Sequence, residues 1–202
     1  VSTRIPDTGD GGAPILGEPL PIELLNTRYA VRGVPHEGLR DPAHLAAWLG
    51  EIAARLAVEP TAADLRAVDA ADLAAVVDLR ACVGAVVTAA TAGTAPAEAA
   101  IDGLNGYVRA APQWRELRWA PAPTAVAYTA AGPIAAALGQ IAAAAVELVT
   151  GARRTELRPC QGPGCILHFV RDNPRREWCS AACGNRARVA RHYRRAKTAA
   201  AR

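Results

Sequence analysis

Hydrophobic positions fall into helical steps over most of the chain. Asp41-Pro42 suits an N-cap followed by proline at the first helical position. After it, Leu45, Trp48, Leu49, Ile52 and Leu56 recur at three- and four-residue spacing. That spacing predicts an amphipathic helix over 42–57. A second pattern starts at Thr61 or Ala62 and runs through Leu65, Val68, Leu73, Val76, Val77 and Leu79 toward Ala90, with a break near 69–72. Pro133 opens a third. There Ile134, Leu138, Ile141, Ala145 and Leu148 share a face, and Arg153 and Arg154 complement the helix C-terminus. Residues 98–104 fit a short helix. Residues 107–111 and 114–119 alternate around Pro112-Gln113, which predicts a small hairpin. Residues 20–27 are apolar but too short to assign between a helical turn and a strand, and 33–41 read as a loop. Pro, Gly and Asp punctuate 1–18 without periodicity, so that segment is expected to be mobile.

Composition sharpens this picture. Of 202 residues, 48 are Ala, one is Phe and none is Met. A core must therefore be built from Leu, Val, Ile and Ala with a few Trp and Tyr. The aliphatic content argues against disorder over the whole length, and 17 Gly and 5 Cys argue against collagen-like and disulfide-dense classes. The start of the chain reads as no secretory leader. The stretch from Trp119 to Val146 is uncharged but broken by Pro121, Pro123, Gly132 and Pro133, so a buried helix is the better reading than a membrane span. A cytoplasmic protein without a membrane partner is the expectation.

Charge divides the chain. Residues 1–150 hold 10 Arg and 16 acids, a net −6, while 151–202 hold 12 Arg, one Lys and 3 acids, a net +10. Such an excess on 52 residues is the footprint of a polyanion partner. The same region holds four of the five cysteines. Cys160 and Cys165 bracket Gln161-Gly162-Pro163-Gly164, and Cys179 and Cys183 bracket Ser180-Ala181-Ala182, with thirteen residues between the pairs. In a reducing compartment this is a zinc pattern. The Gly-Pro-Gly turn lets both thiolates of the first pair face one centre. Ser180 can cap a helix on which Cys179 and Cys183 share a side. Four thiolates complete a structural zinc shell, which leaves His168 outside it. Cys82 reads as a small core residue.

Residues 180–197 read as a basic helix. With Cys183 at zero, Ala182, Val189, Ala190 and Tyr193 fall within about 240° to 340°, and Arg188, Arg191 and Arg195 within about 80° to 140°. The first group is expected to pack and the second to face a ligand. Arg171, Arg175 and Arg176 add a second basic cluster before Trp178. With Asn185, Arg186 and Arg194 they complete the candidate nucleic-acid contacts, and double-stranded DNA is the expected partner. RNA or ribosome binding by the same module, and a protein-interaction adaptor, are the alternatives. No paired His or acidic metal cluster assembles a catalytic shell, so no enzyme is expected. One finger offers a short footprint, which makes a homodimer the expected way to reach a specific operator.

The residues Cys183-Gly184-Asn185-Arg186, preceded by Arg176-Glu177-Trp178-Cys179-Ser180, closely resemble the CGNR zinc-finger family of bacterial proteins. Upstream, Glu23-Leu24-Leu25-Asn26-Thr27-Arg28 and Leu45-Ala46-Ala47-Trp48-Leu49 resemble the ABATE domain that precedes this finger. The resemblance implies one structural zinc on Cys160, Cys165, Cys179 and Cys183. It also implies a stress-responsive transcription regulator whose N-terminal half senses a small molecule. The expected architecture is mainly α with a small β-hairpin: a helical domain over 19–154 for sensing or dimerisation, then a treble-clef-like four-cysteine finger over 155–202. Asn26, Arg28, Trp48, Trp114 and Trp119 are the candidate ligand contacts. The plainer reading has Asn26 and Thr27 capping a helix and the tryptophans filling an alanine-rich core.

Overall fold

The computed structural model describes residues 12–200, with side chains described through residue 193. Helix α1 (Leu20–Leu25) leads into a hairpin of β1 (Arg28–Val31) and β2 (Val34–Glu37). Helix α2 (Pro42–Ile52) continues as a 3-10 turn over Ala53–Arg55, followed by α3 (Ala62–Arg66), α4 (Ala70–Ala92) and α5 (Glu98–Ala110). A second hairpin, β3 (Gln113–Trp119) and β4 (Pro123–Thr129), precedes α6 (Pro133–Thr150) and a 3-10 turn over Ala152–Glu156. The basic region adds β5 (Leu157–Pro159), β6 (His168–Val170) and α7 (Ala181–Ala200). All three strand pairs are antiparallel. The chain is thus a helical domain with small hairpins, followed by a small cysteine-bearing module.

Local chemistry starts and stops the helices. Asp41 accepts the His44 amide at 2.9 Å and caps α2. The break expected near 69–72 is a new N-cap: Asp69 accepts the amides of Ala71 and Asp72, and the Asp72 carboxylate accepts the Asp69 amide in return. Helix α4 then runs to Gly93, whose left-handed φ of 69° ends it. Its buried Val76, Leu79, Val83, Val86 and Val87 pack with Leu45, Leu49 and Ile52 of α2 and Ile141, Ala145 and Leu148 of α6. Small residues let the helices close on one another. A Cβ on Gly139 of α6 would lie 2.7 Å from the Ala111 Cβ, and one on Gly103 of α5 would lie 2.7 Å from the sulfur of Cys82, which packs against the core as expected. Helices α4 and α6 have the length and mean hydropathy (1.8 and 1.5) of a membrane span by composition alone, and their apolar faces form this core.

Several expectations are corrected. Residues 107–111 do not form a strand; α5 continues through Ala110, and the Tyr107 hydroxyl donates to the Ala75 carbonyl of α4 at 2.8 Å. The hairpin partner of β3 is β4, with Trp114 opposite Tyr128 and Glu116 opposite Val126. Residues 34–37 are a strand rather than loop, because Arg32 and Gly33 take φ of 52° and 82° and turn the chain back. The expected mobile segment 1–18 is packed where it is described. Ala13 and Ile15 rest on the main core, and Glu18 is buried. Residues 1–11 lie outside the described residues. Trp48 fills the core. Trp114 and Trp119 do not, since both stand exposed on the second hairpin.

Polar groups line the seam between the helical domain and the C-terminal module. Buried Glu23 accepts the Leu16 amide at 3.0 Å and the Glu18 amide at 2.7 Å, which folds the incoming segment onto α1. Thr27 donates to the Leu24 carbonyl and accepts from Arg80, and Arg80 grips the Glu37 carboxylate with two nitrogens at 2.7 and 2.6 Å. Burial alone would raise the Glu37 pKa, but the Arg80 hydrogen bond and charge hold it below the ordinary value. Asn26 spans the seam: its amide nitrogen donates to the His168 carbonyl at 2.9 Å, and its oxygen accepts the His168 amide at 2.8 Å. Replacing Asn26 by Ala removes both side-chain partners of the His168 backbone and is expected to cost about 2–4 kcal/mol. In urea unfolding that cost shifts the midpoint at unchanged m-value.

Candidate metal centre and basic face

The C-terminal module has a small core of its own, Tyr29, Cys160, Leu167, Phe169, Cys179 and Cys183, with Leu16, Val31, Cys165 and Trp178 at its edge. Three of these ten residues, Leu16, Tyr29 and Val31, come from the N-terminal half. Tyr29 and Val31 reach the module because the β1–β2 turn meets the first cysteine turn. A Cβ on Gly164, whose φ is 67°, would lie 2.7 Å from the Gly33 Cα. Glycine is required at Gly164 both for the left-handed backbone and for this contact.

The four sulfurs of Cys160, Cys165, Cys179 and Cys183 lie within 4.8 Å of one another. All four are free thiols, with sulfur–sulfur separations of 3.8 Å for Cys165–Cys179 and 3.3 Å for Cys179–Cys183. A tetrahedral zinc with four thiolates places its sulfurs about 3.8 Å apart. The donor set and its spacing therefore fit one zinc ion, which would supply a closed structural anchor with no open position. His168 is not in the cluster. The Cys160 thiol is driven below its ordinary value by hydrogen bonds with Cys165, Cys179 and Cys183, and Cys179 is driven above it by those with Cys160, Cys165 and Cys183.

Each residue of the Cys183–Arg186 motif has a visible task. The Ser180 hydroxyl accepts the Cys183 amide at 3.3 Å and starts α7, so Cys183 sits in its first turn. A Cβ on Gly184 would meet the Trp178 ring at 2.9 Å. Glycine there lets the indole lie against the helix. Asn185 is exposed and accepts a hydrogen bond from Arg188. Arg186 donates to the Cys183 sulfur at 2.9 Å, a charge-assisted contact that favours the thiolate.

Arg176 is reassigned. Expected among the phosphate contacts, it instead donates to the carbonyls of Val170 at 3.1 Å and Cys179 at 3.2 Å, pairs with buried Glu18, and lies over the Phe169 ring at 4.9 Å. Glu18 also accepts the Val170 amide at 2.9 Å. Burial raises the pKa of its carboxyl, and the Val170 amide and Arg176 oppose that rise. This lock between the two halves was missed in the sequence because Glu18 stands in a stretch with no periodicity.

Helix α7 packs by another side than expected. Cys183, Gly184 and Ala187 are buried, while Ala182, Val189 and Tyr193 are exposed. Residues 191–193, which follow Ala190, are exposed. Arg171, Arg175, Arg188 and Arg191 are exposed, and no carboxylate pairs with them among the described residues. Arg194 and Arg195 lie outside the residues whose side chains are described. The candidate ligand contacts are not brought together. Asn26 is spent on β6, Trp48 is in the core, Trp114 and Trp119 point to opposite faces of their hairpin, and Arg28 lies at the seam.

Metal analysis of protein purified without chelator is expected to give one zinc per chain, and the Cys179→Ser/Cys183→Ser variant none. Because the ligands bind as thiolates, zinc affinity is expected to be present at neutral pH and to fall as the thiols protonate on acidification. Zinc release followed with a chromophoric chelator checks the sign.

Comparison with known families bears directly on these features. Residues 18–152 match ABATE, described as "Putative stress-induced transcription regulator", and residues 156–196 match the CGNR zinc finger. No curated protein matches the chain. The matched segments cover the helical domain and the four-sulfur module in turn, and the chain belongs to the ABATE family, with a CGNR zinc finger following the ABATE domain.

Proposed function

We propose that this chain is a cytoplasmic, zinc-dependent transcription regulator that binds double-stranded DNA through its finger. The observation that carries the reading is the set of four exposed guanidinium groups, Arg171, Arg175, Arg188 and Arg191, on a module of net charge +10. None is neutralised by a carboxylate among the described residues. Burying an arginine against a carboxylate is the usual fate of a structural one, as Arg80 and Arg176 illustrate here. Leaving four in water on one metal-held frame suits a phosphate backbone. No reaction is assigned to the chain.

The N-terminal domain is the regulatory half of this proposal. A cavity of about 470 Å³ opens at the seam, lined by Leu25, Arg28, Val77 and Arg80 from the domain and by Ile166 and His168 from the finger. Burial holds the His168 imidazole below its ordinary pKa, which favours the neutral ring. An effector seated there would touch both halves and bias how the finger is held.

Fluorescence anisotropy with a labelled duplex, from low to physiological salt, tests the DNA reading. Changing Arg171, Arg175, Arg188 and Arg191 together to Ala is expected to weaken binding across sequences and to lower the slope of log K against log salt by about 3–4. Unchanged binding by this variant, or tighter binding to RNA at matched salt, would overturn it.

A further inference from the structure

The hairpin β3–β4 carries side chains that the fold does not use. In a chain with 4 Trp and one Phe, two of the tryptophans stand on it, Trp114 at 47% exposure and Trp119 at 73%, beside Leu117 at 69%. Large apolar residues left in water in one place mark an interaction surface. Parity sorts them. Trp114, Glu116 and Arg118 share a face with Val126 and Tyr128, whereas Arg115, Leu117 and Trp119 share the other with Ala125 and Ala127.

The first face is internally satisfied. Trp114 stacks on Tyr128 at 6.2 Å, and its indole N–H donates to Glu116 at 3.2 Å. Arg118 donates to the Tyr128 hydroxyl at 2.6 Å and lies 3.4 Å from the Glu116 carboxylate. The second face has no such network among the described residues. Among the described residues the sheet also stops at two strands, which leaves each with an open edge. A lone two-stranded hairpin is marginal in water, and an open edge is a template for another strand.

We propose that β3 pairs edge to edge with β3 of a second copy of this chain, about a two-fold axis at Leu117. In a two-fold antiparallel pair, residues equally far before and after the axis face each other on one side of the sheet. An axis at Arg115, Glu116 or Arg118 puts two like charges directly opposite each other. An axis at Leu117 sets Glu116 of each copy against Arg118 of the other, Arg115 against Trp119, and Leu117 against Leu117. These are two opposite-charge pairs, two guanidinium–indole pairs and an aliphatic contact at the centre, all favourable. Arg118 keeps Tyr128 and exchanges a carboxylate of its own chain for one of the other.

This self-complementarity in a single register is what selects a second copy over an unrelated strand. Strand β4 has no charge to fix a register and begins at Pro123, which lacks an N–H, so β3 is the specified edge. The pairing stands whether or not α7 binds DNA. It would join two domains through a four-stranded antiparallel sheet and bring two fingers into one particle.

Sedimentation velocity of the full chain without DNA, at tens of micromolar, tests this. The wild type is expected to sediment as a dimer of the 21.0 kDa chain. Arg118→Glu and Glu116→Arg, each alone, are expected to raise the dissociation constant about tenfold or more by placing like charges opposite. The combined Glu116→Arg/Arg118→Glu variant is expected to restore dimers, which a variant that merely misfolds would not do. Leu117→Arg, checked for helical content by circular dichroism, is expected to be a folded monomer. A wild-type monomer, or a dimer indifferent to both single charge reversals, would overturn the proposal.

Discussion

A module whose apolar interior amounts to a few side chains cannot hold its own shape, and that constraint governs this molecule. The finger is gripped twice. From inside, four sulfurs crowd around one point where a metal fits. From outside, Glu18 and Asn26 of the helical domain take the backbone of β6 and the guanidinium of Arg176. Small domains below the size of a self-sufficient core use metals or larger partners as staples, and this finger uses both.

The double grip has a directional consequence. Metal binding alone would fix the fold of the finger but leave its orientation free on a linker. The clamps at Glu18 and Asn26, with Tyr29 in the finger's core, fix where α7 leaves the body. The exposed arginines are therefore presented in a set direction relative to the helical domain. The seam that does this joins an apolar contact, Leu157 and Val170 packed into the main core, to polar bonds at Glu18 and Asn26 and to the cavity beside His168.

Much of the framework was legible from periodicity and capping chemistry. Asp41-Pro42 and Pro133 marked helix starts, and the step at Asp69 showed as a weakness in the pattern near 69–72. The cysteine spacing pointed to the metal centre because a sharp Gly-Pro-Gly turn and a helical four-residue step leave thiolates few other arrangements. Failures came where a short pattern fits two geometries. Residues 107–111 alternate acceptably as a strand, but Tyr107 lies three residues after Leu104 and serves α5 equally well. The turn at Arg32-Gly33 lies against Gly164, which is distant in sequence, so its place in the fold could not be anticipated.

Sequence by itself determined which cysteines form the candidate metal centre, where most of the long helices start and where charge accumulates, because each depends on covalent spacing, local hydrogen bonds or composition. Tertiary structure decided which arginines are free and which are consumed. Arg176 and Arg171 look alike along the chain, yet only Arg176 meets a buried carboxylate, 158 residues away. It also decided the fates of the tryptophans, since burial depends on what packs opposite and not on the side chain itself. Trp48 faces a closed core, whereas Trp119 stands on a hairpin where no described residue covers it.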